Sequence, residues 1–271
     1  MTEPRPAISA DAATLAFGER TLWERLTFTV RAGEFVAVLG PNGAGKTSLL
    51  RVLLGLQPLT SGTIQVLGAP PRRGDRLIGY IAQYRAIDPD LPIRGWDMVG
   101  FGLDGHRFGA APRTRQDRTR IAEALDAVGA RRYADAAVGR LSGGEQQRLR
   151  VAQALVGGPT LLLCDEPLQS LDLQYQGVVV DQIARWNRRR GATVVFVTHD
   201  INPVLPVVDR VLLLARRRWA IGPVNEVLTE ETLSRLYGAP VDVLRHRDRL
   251  VILGADLGAH EHTADPPSEA S

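Results

Sequence analysis

The sequence predicts an α/β fold with a mostly parallel sheet, an N-terminal antiparallel β part and an inserted helical subdomain. Three patterns support this prediction. Short apolar segments separated by turn residues fill residues 13–66, which is typical of antiparallel strands. After residue 139 strands alternate with helices, which is typical of a parallel sheet covered on both faces. From about residue 84 to 139 apolar residues recur at helical spacing, as at Ile121, Leu125 and Val128.

The individual elements follow from apolar runs bounded by Gly, Pro and Asn. We expect strands at residues 15–17, 26–30, 35–39, 63–66, 78–82, 161–164, 193–198, 210–214 and 249–253. We expect helices at residues 47–54, 145–156 and 175–189, with short helices between residues 224 and 237.

The composition is typical of a globular protein without a membrane span. Apolar residues make up 44% of the chain and charged residues 23%, close to the averages for globular proteins. The longest apolar runs fall far short of the roughly 20 residues that cross a bilayer, and residues 1–6 lack the apolar segment of a secretory signal. Any membrane association is therefore expected to come through a partner. The single cysteine, Cys164, excludes an intramolecular disulfide and a cysteine-based metal site.

Arginine supplies 32 of the 33 basic residues, and Lys46 is the one lysine. The arginine runs at residues 188–190 and 216–218 have no aromatic residues interleaved to stack on bases, and acidic residues are dispersed among them. We therefore expect no nucleic-acid partner and interpret the runs as a solvated helix end or turn. Lysine and arginine are not interchangeable where a compact ammonium must reach a phosphate, so Lys46 is a candidate for that role.

A glycine-rich segment matches the pattern G-x-x-x-x-G-K-[ST] between the predicted strand 35–39 and the predicted helix 47–54. Glycines let the backbone wrap a phosphate chain, and the helix N-terminus favours the anion. Lys46 is expected to reach the β- and γ-phosphates of ATP, and the Thr47 hydroxyl to ligate Mg²⁺. The predicted nucleotide-binding residues here are Gly40, Pro41, Asn42, Gly43, Ala44, Gly45, Lys46, Thr47 and the following Ser48.

Two carboxylates, Asp165 and Glu166, follow the predicted buried strand 161–164. The carboxyl ends of parallel strands are where α/β sheets place ligands. We expect Asp165 to hold Mg²⁺, directly or through water, and Glu166 to accept a proton from the attacking water. The alternative is a strand that ends in a capping acid. Together with the glycine-rich segment, the pair predicts a P-loop NTPase core that uses ATP and Mg²⁺.

A third motif, Leu141-Ser142-Gly143-Gly144-Glu145-Gln146, opens the predicted helix 145–156. A serine hydroxyl and glycine N–H groups at a helix N-terminus can bind a second anion. The alternative is a simple N-cap in which Ser142 and Glu145 form a capping box.

These motifs and His199 occur in the order and at the spacings of the ATP-binding cassette (ABC) family, which the chain resembles over residues 11–238. The resemblance implies one ABC ATPase domain at residues 11–238 with its helical subdomain at about residues 84–139. Residues 1–10 are then expected to be a disordered leader. Residues 239–271 are expected to be a C-terminal extension that ends in a disordered tail.

The resemblance also implies roles for further residues. Phe17 lies where the family stacks an aromatic ring on adenine, and Gln83 matches the glutamine that senses Mg²⁺ and the attacking water. Ser170, Leu171 and Asp172 match the loop that crosses to the partner subunit. His199 matches the histidine that contacts the γ-phosphate; a histidine read without the family would more often be a structural one.

The resemblance further implies partners and a location. Ser142, Gly143, Gly144 and Glu145 would complete the ATP site of a second cassette, in a head-to-tail homodimer or pair of cassettes. Integral membrane permease subunits would bind the helical subdomain, and an extracytoplasmic solute-binding protein would act indirectly. The chain would then lie at the cytoplasmic face of the cell membrane and couple ATP hydrolysis to transport.

The transported substrate is less defined. Residues 83–93 and 236–240 resemble the zinc and manganese importers of the family, whereas residues 166–172 depart from the version expected there. Iron-chelate or haem import and an unrelated substrate remain alternatives. His260 and His262 in the tail could contact metal or have no role. A ribosome-associated ATPase with two cassettes, a DNA-repair ATPase with a long coiled coil and a P-loop kinase fit the chain less well.

Overall fold

The computed structural model describes residues 5–83, 87–104, 112–169, 171–247 and 249–254. The strands in these residues are β1 (Ile8–Phe17), β2 (Arg20–Val30), β3 (Phe35–Leu39), β4 (Ser61–Val66), β5 (Ile78–Ile81), β6 (Leu161–Asp165), β7 (Thr193–Val197), β8 (Arg210–Ala215), β9 (Arg218–Gly222), β10 (Asp242–His246) and β11 (Arg249–Leu253). The helices are α1 (Lys46–Leu53), α2 (Gly95–Asp104), α3 (Arg115–Ala127), α4 (Gly143–Leu155), α5 (Leu173–Arg190), α6 (Val224–Val227) and α7 (Glu230–Tyr237). Two short 3₁₀ helices, Arg131–Tyr133 and Val138–Arg140, precede α4.

An antiparallel sheet in the order β2-β1-β4 forms the N-terminal part, as predicted. Every second residue of β2 is buried from Leu26 to Val30, so one face of the sheet packs on the core. The alternation breaks at Glu24 and Arg25, where two residues of β2 oppose one of β1 in a β-bulge. Residues 8–10 belong to β1, and Ile8 is fully buried. The prediction that residues 1–10 form a disordered leader is therefore wrong for residues 8–10, where Ile8 is followed by small and polar residues that give no strand signal.

The central sheet has the strand order β5-β6-β7-β3-β8-β9. The pairs from β5 to β8 are parallel, and β9 returns antiparallel to β8 through a two-residue turn. All residues of β3, β6 and β7 are buried, as expected for strands covered on both faces. Phe35 on β3 stacks against Phe196 on β7, with ring centroids 5.8 Å apart. The carboxyl ends of β3 and β6 lie at the same edge.

The described part of residues 84–139 contains α2, α3 and the 3₁₀ helices, as the helical periodicity predicted. Helix α4 packs against α2, α3 and α5, so it joins this helical layer to the sheet. A Cβ at Gly102 would lie 2.1 Å from the Gln153 carbonyl oxygen, which shows how closely α2 approaches α4. Residues 84–86 and 105–111 lie outside the described part. In the helices that are described, none is long and apolar enough to span a membrane.

The C-terminal extension forms an antiparallel hairpin, β10–β11, that packs on the core through Leu250 and Ile252. The predicted strand 249–253 coincides with β11. Strands β9 and β10 were not predicted from the sequence. The residues of β10 are mostly exposed and carry no apolar alternation. The arginine runs form the last turn of α5 and the β8–β9 turn, in agreement with their interpretation as a helix end or turn. Residues 255–271, with His260 and His262, lie outside the described residues.

We predict that Phe196→Ala lowers the free energy of unfolding by about 3–5 kcal/mol, because it leaves a cavity in the buried layer between β7 and the helices. Phe196 is fully buried and stacked on Phe35. Phe101→Ala is the matched control, since Phe101 on α2 is 47% exposed; its effect should stay within about 0.5 kcal/mol. Urea unfolding monitored by circular dichroism measures both values. Equal effects of the two substitutions would contradict the assigned core.

Candidate nucleotide-binding site

The loop of residues 40–47 joins β3 to α1 at the carboxyl edge of the central sheet. Gly40 has a φ of 148°, and a Cβ there would lie 2.1 Å from the Leu214 carbonyl oxygen. Gly45 has a φ of 91°, and a Cβ there would come within 2.8 Å of Nε1 of the buried Trp23 indole. Both positions therefore require glycine. The loop is held against β8 and β2, with the N-terminus of α1 directed at it.

Lys46 begins α1 and its side chain folds back over the loop. Its Nζ donates hydrogen bonds to the carbonyl oxygens of Gly40, at 2.7 Å, and Pro41, at 3.1 Å. Burial lowers the pKa of the Lys46 ammonium, and the charges of Glu166 and Asp165 oppose this decrease. The ammonium is thus placed between the loop carbonyls and two carboxylates.

Asp165 ends β6 beside the start of α1. Its Oδ1 accepts a hydrogen bond from Thr47 Oγ1 at 3.0 Å, and its Oδ2 accepts one from the Tyr80 hydroxyl at 3.3 Å. Burial raises the pKa of Asp165, while the hydrogen bonds from Thr47 and Tyr80 act in the opposite direction. Burial and the neighbouring Asp165 raise the pKa of Tyr80 to about 12, so Tyr80 stays a neutral donor. The orientation of the Asp165 carboxylate is therefore fixed by a hydrogen bond to each of its two oxygens.

Glu166 and His199 form a hydrogen-bonded pair, with His199 Nδ1 3.1 Å from Glu166 Oε2. This bond lowers the pKa of Glu166, although burial opposes the effect. The same bond raises the pKa of His199. Glu166 has a φ of 45°, a left-handed conformation that costs free energy for a residue other than glycine. The conformation turns the carboxylate out of the line of β6 and toward His199.

An open cavity of about 480 Å³ lies over the loop and is lined by six of the nine predicted nucleotide-binding residues 40–48. A neighbouring cavity of about 300 Å³ shares Asn42 and Glu166 with it and includes Gly40 and His199. The larger cavity is lined by Phe17, Arg20, Leu22, Asn42, Gly43, Gly45, Lys46, Thr47, Ser48, Gln83 and Glu166. Phe17 is 49% exposed at its rim, and the Gln83 side chain donates a hydrogen bond to that of Gln169. Ala44 is buried behind the loop.

The segment 141–146 lies elsewhere. Ser142 caps α4 and forms a capping box with Glu145: its Oγ donates to Glu145 Oε2 at 2.9 Å and accepts from Glu145 N at 3.4 Å. Gly144 packs against the Tyr175 ring, where a Cβ would lie 3.3 Å away. Asp172 caps α5 by accepting from Tyr175 N. Among the described residues, neither residues 142–145 nor Asp172 line either of the two cavities. Ser170 lies outside the described residues.

Four residues at or near the site were not identified from the sequence. Arg20 donates a hydrogen bond to the Gly43 carbonyl oxygen. The Tyr80 hydroxyl donates one to Asp165, and the Gln169 side chain accepts one from Gln83. Asn202 joins the segment after His199 to the C-terminal hairpin, since its amide donates to the Leu250 carbonyl oxygen at 3.0 Å and accepts from Leu250 N at 2.8 Å. No local motif marks these residues, because each acts through a contact with a distant part of the chain.

Comparison with known proteins identifies the family. Residues 23–169 match the family model described as ABC transporter, which is more than half of the chain. The zinc transport system ATP-binding protein TroB of Treponema pallidum is 36% identical over 236 residues, covering 87% of this chain and 88% of that protein. The manganese transport system ATP-binding protein MntB of Halalkalibacterium halodurans is 31% identical over 248 residues, covering 92% and 98%.

A solved structure of a metal-chelate type ABC transporter in an inward-facing conformation superimposes with a TM-score of 0.78. Its sequence is 27% identical, and the alignment covers 92% of this chain and 96% of that one. The family match, the relatives and the shared fold agree over nearly the whole length of the chain. The chain therefore belongs to the ABC transporter family, as one of its ATP-binding, ATP-hydrolysing subunits.

Proposed function

We propose that this chain is the ATPase subunit of an importer for a divalent metal ion, zinc or manganese. The observation that carries the proposal is the similarity to the zinc protein TroB and the manganese protein MntB over 87% and 92% of the chain. We place the subunit at the cytoplasmic face of the membrane beneath permease subunits, with an extracytoplasmic solute-binding protein delivering the metal.

The loop 40–47 binds the phosphates of ATP in this proposal. Its backbone N–H groups and the N-terminus of α1 attract the anion. When ATP binds, the Lys46 ammonium leaves the carbonyl oxygens of Gly40 and Pro41 and donates to the β- and γ-phosphates instead. This change requires only a rotation of the flexible lysine side chain. Phe17, at the exposed rim of the cavity, stacks on the adenine.

The residues at the end of β6 suit Mg²⁺, a hard cation that prefers oxygen ligands. Thr47 Oγ1 and Asp165 Oδ1 are 3.0 Å apart and both face the loop, and Gln83 lines the same cavity. Thr47, Asp165 and Gln83 would hold the ion, directly or through water. When bound, Mg²⁺ neutralises part of the charge on the β- and γ-phosphates.

Glu166 acts as the general base for the attacking water, and His199 orients the Glu166 carboxylate. With Nδ1 bonded to Glu166, the opposite ring nitrogen of His199 is left to contact the γ-phosphate. Because their hydrogen bond lowers the pKa of Glu166 and raises that of His199, both groups are charged between those two pKa values. Glu166 is then a carboxylate able to accept a proton near neutral pH.

The segment 142–145 completes the ATP site of a second copy of the chain. Ser142, Gly143 and Gly144 open α4 at a partly exposed helix N-terminus, which favours a phosphate from outside the chain. Asp172, at the exposed start of α5, lies in the loop that crosses to the partner. Neither segment lines the cavity over the loop 40–47 in its own chain. In a head-to-tail homodimer, each segment would instead reach the ATP site of the partner.

Iron-chelate or haem import is the second candidate function. It is favoured by the similarity to the hemin import ATP-binding protein HmuV of Rhodococcus jostii, which is 34% identical over 256 residues and 90% of this chain. The metal-chelate type structure points in the same direction.

We predict that Ser142→Arg abolishes ATP-driven dimerisation, because a long cation at the start of α4 blocks the approach of a second phosphate loop. The measurement is light scattering with ATP in a Glu166→Gln background, in which the dimer is not dissolved by hydrolysis. Ser61→Arg, at an exposed strand end, is the matched control and should leave dimerisation unchanged. An ATP-dependent dimer of the Ser142→Arg chain would contradict the composite site.

We predict that cells lacking this chain accumulate less zinc or manganese, and that the wild-type chain restores the metal but Glu166→Gln does not. The substitution removes the proton acceptor, which should slow hydrolysis by about 10²–10⁴-fold. Elemental analysis of the cell contents measures the effect, and Glu123→Gln, an exposed residue of α3, is the control that should restore accumulation. Unchanged zinc and manganese with reduced iron would support the second candidate instead.

A further inference from the structure

A further cavity, of about 630 Å³, lies between the β8–β9 turn, β2 and α7. Five of the eight residues that line it are arginines, against one acid, Glu24; the arginines are Arg25, Arg216, Arg217, Arg218 and Arg235. Arginine makes up only 32 of the 271 residues of the chain. We call this cavity the arginine cavity. The ATP site and its proposed mechanism use none of these residues.

The charges of the arginine cavity are not neutralised within the described chain. Some arginines elsewhere form ion pairs, as Arg113 does with Asp97 and Arg210 with Glu34. Of the described acidic side chains, none lies within ion-pairing distance of the five arginines of the cavity. Arg218 instead donates to the Arg235 backbone carbonyl oxygen at 2.9 Å. Like charges gathered in a concave surface repel one another and attract an anion.

The backbone at the cavity is also strained. Arg216 and Arg217 form the two-residue turn between β8 and β9, with φ values of 45° and 69°. Positive φ at both positions defines a type I′ turn, in which Asn-Gly is strongly preferred. Arg25, in the β-bulge, has a φ of 49°. A left-handed conformation is unfavourable for residues other than glycine. Three arginines are therefore held around one cavity at positions where other residues would fold more easily.

The arginine cavity lies next to the ATP-site cavity but is distinct from it. Glu24 N donates to the Arg217 carbonyl oxygen at 3.3 Å, so β2 connects the β8–β9 turn to the neighbouring Trp23. The Trp23 indole packs on Gly45 of the phosphate loop. The ATP-site cavity is lined by Arg20 and Leu22 of the same strand, whereas the arginine cavity is lined by Glu24 and Arg25. The two cavities are thus neighbours that share no lining residue.

We propose that the arginine cavity is a second anion site that binds a phosphate-bearing ligand. Guanidinium groups match phosphate oxygens in bidentate geometry, and five of them suit an anion of more than one charge. The volume lies within the range of small-molecule sites, and Trp219 adds an aromatic surface to the lining. The ligand is either a free phosphorylated molecule or the headgroup of an anionic phospholipid, which share this chemistry.

The test is a calorimetric titration with pyrophosphate in a Lys46→Ala background, which weakens the phosphate loop equally in every variant. Arg216→Asn combined with Arg217→Gly should weaken binding roughly tenfold or more, since two charge-assisted contacts are lost. These residues suit a type I′ turn, so the variant should fold with a Tm no lower than its parent. Arg25→Asn and Arg235→Gln reach the cavity from β2 and α7, and each should also weaken binding.

Arg115→Gln combined with Arg118→Gln removes the same charge from the exposed face of α3 and should leave pyrophosphate binding unchanged. A second arm measures co-sedimentation with phosphatidylcholine vesicles that contain phosphatidylglycerol. Sedimentation that depends on the cavity arginines, without pyrophosphate binding, would assign the site to a lipid headgroup. Equal behaviour of all variants toward both probes, or an equal loss in the α3 control, would overturn the proposal.

Discussion

The hydrogen bond between Thr47 Oγ1 and Asp165 Oδ1 joins the start of α1 to the end of β6, two elements more than a hundred residues apart. Strand β7 makes this contact possible, because it lies between β3 and β6 and pairs with both. Val197 is the register partner of Val38 on β3 and of Asp165 on β6. The two strands therefore end at the same level, and the phosphate loop and the carboxylates meet at one edge. A shift of β6 by one residue would turn Asp165 to the other face of the sheet.

The same register positions the residues beyond the strands. Glu166 N donates to the Val197 carbonyl oxygen and Thr198 N donates to that of Val38. These bonds carry the ladder one residue past β6 and β7, to Glu166 and to Thr198, which directly precedes His199. The left-handed φ of Glu166 is maintained by this network and by the bond to His199, so the local cost is offset by contacts around it. Asn202 extends the arrangement to the C-terminal hairpin, which makes β10 and β11 part of the same structural unit as the ATP site.

Much of this arrangement could be predicted from the sequence, because the central strands and the phosphate loop carry strong local signals. The run 35–39 is apolar at every position, and Gly40 to Thr47 needs several glycines in fixed places. The strands β1, β9 and β10 were harder to predict. In β1, Ile8 is followed by small and polar residues, β9 contains polar and apolar residues without clear alternation, and β10 is mostly exposed. The contacts of Tyr80, Gln169 and Asn202 depend on which distant elements become neighbours, which no local pattern encodes. The arginine run 216–218 was expected to be solvated, and its clustering with Arg25 and Arg235 emerges only from the fold.

The central claim is that the ends of β3 and β6 together form a site for ATP and its Mg²⁺ ion. The most direct measurement is the affinity for a non-hydrolysable ATP analogue, with and without Mg²⁺, in the wild-type chain and in Asp165→Asn. Asparagine keeps the shape of the side chain but removes the charge. We expect Mg²⁺ to tighten binding to the wild type and to have little effect on the variant, whose Mg²⁺-free affinity should be preserved. If Mg²⁺ tightened binding equally in both chains, Asp165 would not belong to the ion site and the account of this edge would be wrong.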